Sequence, residues 1–377
     1  MKKILFIFGT RPEAIKMVPI IKELERTNRF KYEICITAQH REMLDQVLTL
    51  FGIKADYDLN IMKPNQDLFD ITSNILLKLK DVLSSSSPDI VLVHGDTTTT
   101  FSASLASFYM KIPIGHVEAG LRTHDLFSPF PEEANRQLTS RLASFHFAPT
   151  SASSENLLSE GVEKSKIFIT GNTVIDTLLI TDEKIKNSKE KQKELRLHIK
   201  NSGYKLDEKR VILVTGHRRE NFGDGFISIC KALKRLALAN RDINIVYPLH
   251  LNPNVQGVVH EYLDSIENIY LINPLDYEPF VYLMSSSYII LTDSGGIQEE
   301  APSLGKPILV MRNTTERPEA VDSGTVKLVG TDEELIVELS QKLLDDKSFY
   351  DSMSKIQNPY GDGKSSQRII ESLLKVL

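Results

Sequence analysis

Residues 3–26, KILFIFGTRPEAIKMVPIIKELER, place a continuous apolar run directly before a stretch with helical periodicity. The run has the length of one strand, and its lack of alternation is typical of a parallel strand that is covered on both faces. Gly9 marks a turn after the run, and Pro12 suits the first position of a helix. We therefore predict that this stretch forms the first strand and helix of a βαβ unit.

The same succession recurs along the chain. Strand-like apolar runs that end in turn signals lie at residues 32–39, 89–96, 112–120, 144–150, 210–221, 244–250, 269–274 and 288–296. Helical stretches such as 69–83 separate them, and this alternation indicates parallel sheets. The run at 210–221, RVILVTGHRREN, is similar to the opening stretch, so the pattern starts again in the second half. The charged segment 181–200 is predicted to form a solvent-exposed helix.

The length of the chain, 377 residues, favours two domains, because a domain has about 150 residues. We predict an α/β fold with two Rossmann-like domains that face each other across a cleft. In open parallel sheets, ligands bind beyond the carboxyl ends of the strands, which would place the functional site in this cleft.

Composition narrows the class of protein. Hydrophobic residues make up 41% of the chain and charged residues 25%, as in an ordinary soluble globular protein. The 45 Lys and Arg residues against 50 Asp and Glu residues give a formal net charge of −5, which disfavours a nucleic-acid surface. No apolar stretch approaches the ~20 residues of a membrane span. Cys35 and Cys230 lie in apolar stretches, as buried thiols of a reducing compartment would. We expect a cytoplasmic protein that binds neither nucleic acid nor membrane.

The stretch TDSGGIQEEAPSLGKP, residues 292–307, is the clearest signal for a phosphate site. Ser294 is expected to cap a helix, and Gly295 and Gly296 would let an anion approach its first N–H groups. The helix dipole favours a diphosphate at that position. Glu300, one turn further on, could accept hydrogen bonds from ribose hydroxyls. The alternative interpretation is an ordinary capped helix that follows a glycine turn.

Cations follow two of the predicted strands. Arg11 and Lys16 come after the first strand, and His217 and Arg218 come after the corresponding strand of the second half. Arginine suits phosphate because its guanidinium donates two parallel hydrogen bonds and stays charged. Solvent-exposed side chains with no ligand are the alternative for any one of them.

Three carboxylates lie near predicted strand ends or helix starts in the first half. Asp96 follows one strand, Glu118 ends the next, and Glu132 starts a helix with Arg136 one turn beyond. Residues i and i+2 of a strand point to the same face, so we expect His116 beside Glu118. Proton transfer at two faces of one carbon needs two such groups, and these carboxylates would supply them.

Structural roles are the alternative for these carboxylates. Asp96 could cap the helix that follows it, and Glu132 or Glu133 could be first-turn carboxylates favoured by the helix dipole. The sequence contains no Cys/His cluster with zinc spacing, no G-x-S-x-G and no GxxxxGK[ST]. We therefore expect no metal site.

Together these stretches resemble the bacterial non-hydrolysing UDP-N-acetylglucosamine 2-epimerases. The resemblance is carried by GTRPEAIKMVP (9–19), HGDTTTTF (94–101), GHVEAGLRT (115–123), PEEANRQ (131–137), GNTVIDTLL (171–179), TGHRREN (215–221), YPLHLNPNV (247–255), TDSGGIQEEAPSLGKP (292–307), RNTTERPEAV (312–321) and NPYGDG (358–363). It implies the GT-B fold of two domains. The first would cover residues 1–170 and regain a C-terminal helix at 364–377, and the second, which binds UDP, would cover 171–363.

The resemblance also implies an activity. UDP-GlcNAc and UDP-ManNAc would be interconverted at C2 by elimination of UDP to a 2-acetamidoglucal and by its re-addition. The product would supply ManNAc for surface polysaccharide, and the enzyme would be a homodimer that uses neither metal nor nicotinamide. A GT-B glycosyltransferase and a non-catalytic nucleotide-sugar binding protein are the alternatives, and the three carboxylates favour the epimerase.

Residue roles follow from the matched motifs. The residues that match catalytic positions are Asp96, Glu118, Glu132, Arg136 and His217. Those assigned to substrate binding are Arg11, Lys16, Arg218, His250, Ser294, Gly295, Gly296, Glu300 and Arg317. Within residues 37–47, Gln39, His40 and Gln46 would line a regulatory site for a second UDP-GlcNAc, together with His250. The alternative for this segment is a helix start with a solvated face.

Overall fold

The computed structural model describes residues 1–39, 41–63, 65–250 and 252–377. These residues form two units, one made of Met1–Thr177 with Gly361–Leu377 and the other of Leu178–Tyr360. Each unit contains a parallel sheet with helices between its strands. The predicted α/β class with two parallel sheets is confirmed.

The first unit has a seven-stranded sheet. Its strands are β1 (Lys3–Phe8), β2 (Lys31–Ile36), β3 (Tyr57–Asp58), β4 (Ile90–His94), β5 (Ile114–Val117), β6 (Phe145–Ala148) and β7 (Ile167–Ile169). Its helices are α1 (Arg11–Thr27), α2 (Arg41–Leu50), α3 (Leu68–Ser86), α4 (Thr98–Tyr109), α5 (Glu132–Leu142), α6 (Ser151–Ser159) and α7 (Thr173–Lys186), the last of which continues into the second unit. The strand order is β3-β2-β1-β4-β5-β6-β7.

The position of β1 in this sheet explains its composition. Residues 4–8 are completely buried because β1 lies between β2 and β4 in the interior of the sheet. The strand order reverses between β1 and β4, which is the point where open parallel sheets bind ligands. The turns after β1, β4 and β5 therefore meet at one edge.

The second unit has a six-stranded sheet. Its strands are β8 (Arg210–Thr215), β9 (Ile243–Pro248), β10 (Ile269–Ile272), β11 (Ile289–Thr292), β12 (Ile308–Val310) and β13 (Val326–Leu328). Its helices are α8 (Lys189–Asn201), α9 (Asp224–Ala239), α10 (Pro253–Leu263), α11 (Tyr277–Ser286), α12 (Gly295–Glu300), α13 (Pro318–Asp322), α14 (Glu333–Asp345) and α15 (Lys347–Ser354). The order β10-β9-β8-β11-β12-β13 is that of a Rossmann sheet, and it reverses between β8 and β11.

The C-terminal helix α16 (Ser365–Val376) belongs to the first unit, where it packs on α1. The buried carboxylate of Asp176 in α7 accepts hydrogen bonds from the main-chain N–H groups of Ser365 and Ser366, at 3.2 and 2.8 Å. Asp176 therefore caps a helix that lies almost two hundred residues further along the chain. The predicted return of the C-terminal helix to the first domain is confirmed.

Two sequence predictions are wrong in detail. The charged segment 181–200 forms two helices rather than one, because Ser188 accepts a hydrogen bond from the Lys191 N–H at 3.1 Å and starts α8. After β8, a 3-10 turn at Arg219–Asn221 precedes α9, whereas α1 begins directly after the turn that follows β1.

Two observations relate to the predictions made from composition. Among the described residues, no helix is both long and apolar enough to span a membrane. Cys35 and Cys230 are buried free thiols.

Candidate active site

Glu118 is the first residue after β5 and has a left-handed backbone with φ +62°. This conformation is uncommon for a residue other than glycine, and residues held in it cluster at functional sites. Because β5 ends at Val117, strand alternation does not relate Glu118 to His116, and that argument from the sequence is wrong. His116 lies within the strand, where its Nε2 is 2.7 Å from the Gly95 carbonyl oxygen.

The Glu118 carboxylate is buried among polar groups. The Lys16 ammonium and the Asn172 side-chain amide both donate to it, the latter at 2.8 Å, and His94 Nε2 lies 3.7 Å away. Burial acts to raise the pKa of Glu118, but Lys16 and His94 outweigh it and hold that pKa well below 4.5. Glu118 is therefore an ionised carboxylate, which can accept a proton and has none to give.

Asp96 is held by Arg136 rather than used as a helix cap. Thr97 is the N-cap of α4 and accepts a hydrogen bond from the Thr100 N–H at 3.1 Å, so the alternative role for Asp96 is wrong. The Arg136 guanidinium donates to Asp96 Oδ2 through Nη2 at 2.7 Å and Nε at 2.9 Å. Its Nη1 donates to Glu133 at 3.2 Å. The structure thus brings together Asp96 and Arg136, two of the predicted site residues.

The neighbours Glu132 and Glu133 differ in their surroundings. Glu133 is completely buried and accepts hydrogen bonds from the main-chain N–H groups of Thr123 and His124, at 3.0 and 3.2 Å. It therefore anchors the loop before α5. Glu132 Oε2 is also buried, but it has no hydrogen-bond partner among the described residues. Of the two, only Glu133 has its carboxylate engaged by main-chain N–H groups among the described residues.

The turn after β1 is closed by Glu13, a residue that the sequence analysis did not single out. Its buried carboxylate accepts hydrogen bonds from the N–H groups of Gly9 and Thr10, at 3.1 and 2.8 Å, and from the Thr97 hydroxyl at 2.8 Å. Burial raises the pKa of Glu13 above its ordinary value. This turn places Arg11 at the first position of α1.

The residues predicted to form a regulatory site lie on and before α2. The Gln39 N–H donates to the Gly9 carbonyl oxygen at 3.0 Å, and the Gln39 Oε1 is buried with no partner among the described residues. Gln46 is exposed on α2. His40 lies outside the described residues.

In the second unit, Asp293 follows β11 directly and is completely buried. Its Oδ2 accepts hydrogen bonds from the main-chain N–H groups of His217 and Arg218, both at 2.8 Å. Its Oδ1 has no partner among the described residues and lies 3.7 Å from His217 Nδ1. Asp293 therefore joins the turn after β8 to the end of β11, a connection that the sequence analysis missed.

The glycine pair at the start of α12 has an arginine and a carboxylate beside it. A Cβ added to Gly295 would lie 4.0 Å from Arg218 Nη2, and one added to Gly296 would lie 3.6 Å from Glu300 Oε1. Ser294 occupies the N-cap position, but its side chain makes no capping hydrogen bond. The predicted cap is therefore wrong, and the first N–H groups of α12 are not taken up by a side-chain cap.

His250 and Arg317 are engaged with other residues of the second unit. The rings of His250 and His217 are stacked, with centroids 5.0 Å apart and an interplanar angle of 11°. His250 Nδ1 accepts a hydrogen bond from the Asn252 N–H at 3.1 Å. The Arg317 guanidinium donates to the buried Glu299 carboxylate. Arg317 therefore lies before α13 in a buried ion pair.

In the part of the chain that the structure describes, no three His, Cys, Asp or Glu side chains are grouped as a metal site would require.

Comparison with known proteins identifies the family. A model of the UDP-N-acetylglucosamine 2-epimerase family matches residues 22–374. The chain is 62% identical over 375 residues to the UDP-N-acetylglucosamine 2-epimerase of Campylobacter jejuni, with 99% of this chain and 98% of that protein covered.

Solved structures agree with the family match. The UDP-GlcNAc 2-epimerase of Neisseria meningitidis, bound to UDP-GlcNAc, has 58% identity and a TM-score of 0.88, with 99% of this chain and 100% of that chain covered. The enzyme of Methanocaldococcus jannaschii, in complex with UDP-GlcNAc and UDP, has 33% identity and a TM-score of 0.78, with 99% of each chain covered. The chain therefore belongs to the UDP-N-acetylglucosamine 2-epimerase family of isomerases.

Proposed function

We propose that the protein interconverts UDP-GlcNAc and UDP-ManNAc through a 2-acetamidoglucal, without hydrolysing the nucleotide sugar. The observation that carries this proposal is the buried, ionised Glu118 with its unusual backbone, together with Asp96 and the unpartnered Glu132 oxygen in the same unit. The Neisseria relative binds UDP-GlcNAc, and the Methanocaldococcus relative binds UDP-GlcNAc and UDP.

The chemistry requires more than a base. The C2 hydrogen of the sugar has no carbonyl beside it, so the carbanion left by simple deprotonation would be unstabilised. In the proposed route, a carboxylate removes this proton, the C–H electrons form a C1=C2 double bond, and the C1–O bond breaks as UDP leaves. UDP then adds back to C1 while C2 receives a proton on the opposite face. The reaction balances without a redox cofactor.

We assign the carboxylates to the two faces of C2. Glu118 is ionised, so we assign to it the acceptance of a proton at one face of C2. Glu132 or Asp96 would serve the opposite face, and Arg136 holds Asp96 in place. Two positioned groups whose surroundings differ are what proton transfer at two faces requires.

Lys16 links substrate binding to the strength of this base. Its ammonium donates to Glu118, and Lys16 is also among the residues assigned to the substrate. A diphosphate that drew Lys16 away from Glu118 would raise the pKa of Glu118 toward its ordinary value. Glu118 would then be a stronger base when substrate is bound.

The second unit supplies the groups that suit a leaving diphosphate. Arg218 and the N–H groups of Gly295 and Gly296 would bind it, and Glu300 would accept from the ribose hydroxyls. His217 would assist at the phosphate that leaves C1. Arg11 of the first unit and Ser294 complete the assigned UDP contacts. Arg317 would contribute only if it left Glu299.

The protein as a homodimer is part of the proposal. The helices α3 and α4 pack against each other, and the exposed apolar side chains on them and directly after α4 are Leu68, Phe69, Leu77, Phe108, Tyr109 and Met110. Large exposed apolar surface is typical of a face that another chain covers. Light scattering should give the mass of a dimer, and F69D should shift it to a monomer. The control L374D alters an exposed leucine of α16 and should leave the dimer intact.

A regulatory site is proposed at Gln39 and Gln46 of the first unit. UDP-ManNAc alone should then react slowly until a trace of UDP-GlcNAc is added, and Q46A should weaken that activation more than it weakens UDP binding. Consumption of UDP-ManNAc at full rate from the start would contradict this site.

The product would feed surface polysaccharide.

Incubation with UDP-GlcNAc in D2O tests the reaction itself. NMR should show UDP-ManNAc that carries deuterium at C2, and label in the bridging oxygen between C1 and the β-phosphate should scramble into the other β-phosphate oxygens. Product that retains protium at C2 would exclude the elimination. Formation of a disaccharide from an added sugar acceptor would favour the glycosyltransferase alternative.

A further inference from the structure

The carboxylate of Asp293 has two oxygens in different situations. Oδ2 accepts the main-chain N–H groups of His217 and Arg218, both at 2.8 Å, while Oδ1 is buried without a partner among the described residues. A buried charged oxygen without a hydrogen bond costs free energy that a purely structural turn would avoid. The ring of His217, which can carry a positive charge, lies close to this oxygen, with Nδ1 3.7 Å from Oδ1.

The position of Asp293 is fixed from both sides. The Asp293 N–H donates to the Thr215 carbonyl oxygen at 3.1 Å, which ties Asp293 to the end of β8. Asn221 donates to the Met311 carbonyl oxygen at 3.0 Å and lies 3.5 Å from Asp293 Oδ2. The carboxylate is thus held at the junction of β8 and β11, where it can orient the His217 ring and hold its main chain at once.

We propose that Asp293 is the positioning residue of His217, holding its main chain through Oδ2 and directing the proton of its ring to Nδ1 through Oδ1. Nε2 is then the nitrogen that His217 offers to a phosphate. This inference rests on the proposed role of His217 at the leaving phosphate. In the protonated ring, Nδ1–H faces Asp293 and Nε2–H donates to a β-phosphate oxygen. Transfer of the Nε2 proton to that oxygen leaves a neutral ring that keeps its Nδ1–H.

Among the residues that the structure describes, the charged and titratable groups that act on the pKa of His217 are Asp293, Arg218 and His250. The His250 ring stacks on the His217 ring, and His250 Nδ1 accepts the Asn252 N–H. Burial lowers the pKa of His217, Asp293 opposes that effect, and His250 and Arg218 add to it. Asp293 is the one anion of this set, so its removal should make His217 harder to protonate.

Nitrogen-15 NMR of histidine-labelled protein tests the proposal, with H217N identifying the signals of His217. In the native protein we expect the Nδ1–H tautomer in the neutral ring. In D293N the new amide can donate to Nδ1, so the tautomer should change to Nε2–H and the pKa of His217 should fall by about one unit. D293N should also lower kcat roughly 10²-fold and leave the Kd for UDP within about threefold.

The matched control is T215V, which removes a hydroxyl at the same strand junction and leaves the carboxylate in place. It should lower the melting temperature slightly and change neither the tautomer nor kcat. If D293N fails to fold, the native spectrum still decides, because an Nε2–H tautomer there would overturn the proposal. An unchanged His217 titration in folded D293N would also overturn it.

The role of His217 at the phosphate and the positioning of His217 by Asp293 can be contradicted independently. If H217N keeps full kcat while D293N shifts the His217 spectrum, the role of His217 at the phosphate is wrong and the positioning by Asp293 stands. If H217N loses activity while D293N leaves the His217 spectrum unchanged, the proposed function stands and the positioning is wrong.

Discussion

The turns after β1 and β8 begin from similar sequences, GTRPE at residues 9–13 and GHRRE at 216–220, but they are built differently. In the first turn, Glu13 accepts the N–H groups of Gly9 and Thr10 within its own segment, and α1 begins at once with Arg11. The carboxylate that closes this turn is local, so the turn is part of the helix start.

In the second turn, the glutamate at the same spacing has another partner. Glu220 pairs with Arg312 at 2.5 Å, and the N–H groups of His217 and Arg218 are accepted by Asp293 from a neighbouring strand end. A distant carboxylate ties the turn to another strand without starting a helix. The side chains of His217 and Arg218 therefore lie on a loop beside α12, where they can act on a ligand.

The largest effect that this comparison predicts is the loss of Glu13. E13A leaves the buried N–H groups of Gly9 and Thr10 unsatisfied, and since each such group costs about 1–3 kcal/mol, the free energy of unfolding should fall by roughly 3 kcal/mol. Urea denaturation measures it. A loss below about 1 kcal/mol would mean that the local carboxylate does not hold the turn.

The pH dependence of stability should carry the signature of Glu13. Burial raises its pKa above the ordinary value of 4.5, so the folded protein keeps a proton that the unfolded chain has lost. This contribution is fully present below pH 4.5 and is lost as the pH rises through the raised pKa. Glutamine does not titrate, so the stability curve of E13Q should lack this decline. The stability of the native protein relative to E13Q should therefore fall as the pH rises through the raised pKa.

Glu118 provides the next effect, on chemistry rather than on the turn. E118Q should lower kcat by roughly 10²-fold or more, because an amide cannot accept the proton, and should leave the binding of UDP unchanged. Steady-state rates and calorimetry with UDP separate the two quantities. The control is E13Q, which changes another buried glutamate of the same unit. It should lose stability with little change in kcat per folded molecule. Normal turnover by E118Q would refute the assignment of the base.

Glu220 should give a smaller effect than Glu13 despite the same spacing from glycine. Its side chain is 47% exposed, and its partner Arg312 also pairs with Glu316. E220Q should therefore lower the free energy of unfolding by less than about 1 kcal/mol, as for an exposed ion pair. A loss as large as that of E13A would show that the second turn also depends on its local carboxylate.

The smallest effect concerns Glu316. Hydrogen bonds from Arg312 lower its pKa to about 2, so the folded protein binds this proton less readily than the unfolded chain. The resulting stability is present above pH 4.5 and is lost as the pH falls toward 2, the opposite slope to that of Glu13. Because the Glu316 side chain is partly exposed to solvent, this contribution to stability is small. E316Q should flatten the acid limb of the stability curve, and an unchanged limb would show that this pair contributes nothing.

The fold was largely predictable because apolar runs such as β1, with the length of a strand and a glycine turn after them, are typical of a covered parallel sheet. Strands of two or three residues are too short to carry a pattern, and the sequence analysis missed them; they are β3, β7, β12 and β13. The break at Ser188 was also missed, because the charged periodicity continues across it.

The residues of the candidate site were likewise predicted only in part. The sequence motifs identified Asp96 and Arg136 as site residues, and in the structure their side chains form an ion pair. Asp293 was not found because it binds main-chain N–H groups, which every residue except proline has and which therefore leave no mark in a sequence. Glu13 could have been found, because it stands three residues after Thr10, the spacing of a capping box at the start of α1. Ser294 shows the reverse error, since a residue type that favours caps does not by itself make the bond.

The cap that Asp176 provides for α16 has a consequence for the order in which the protein is made. Residues 178–360, the whole second unit, leave the ribosome before the helix that Asp176 caps. The growing chain therefore carries an uncovered carboxylate and an uncovered face of α1 while the second sheet is assembled. The unit that is begun first is completed last, and during synthesis it is the first unit, rather than the second, that chaperones would have to shield.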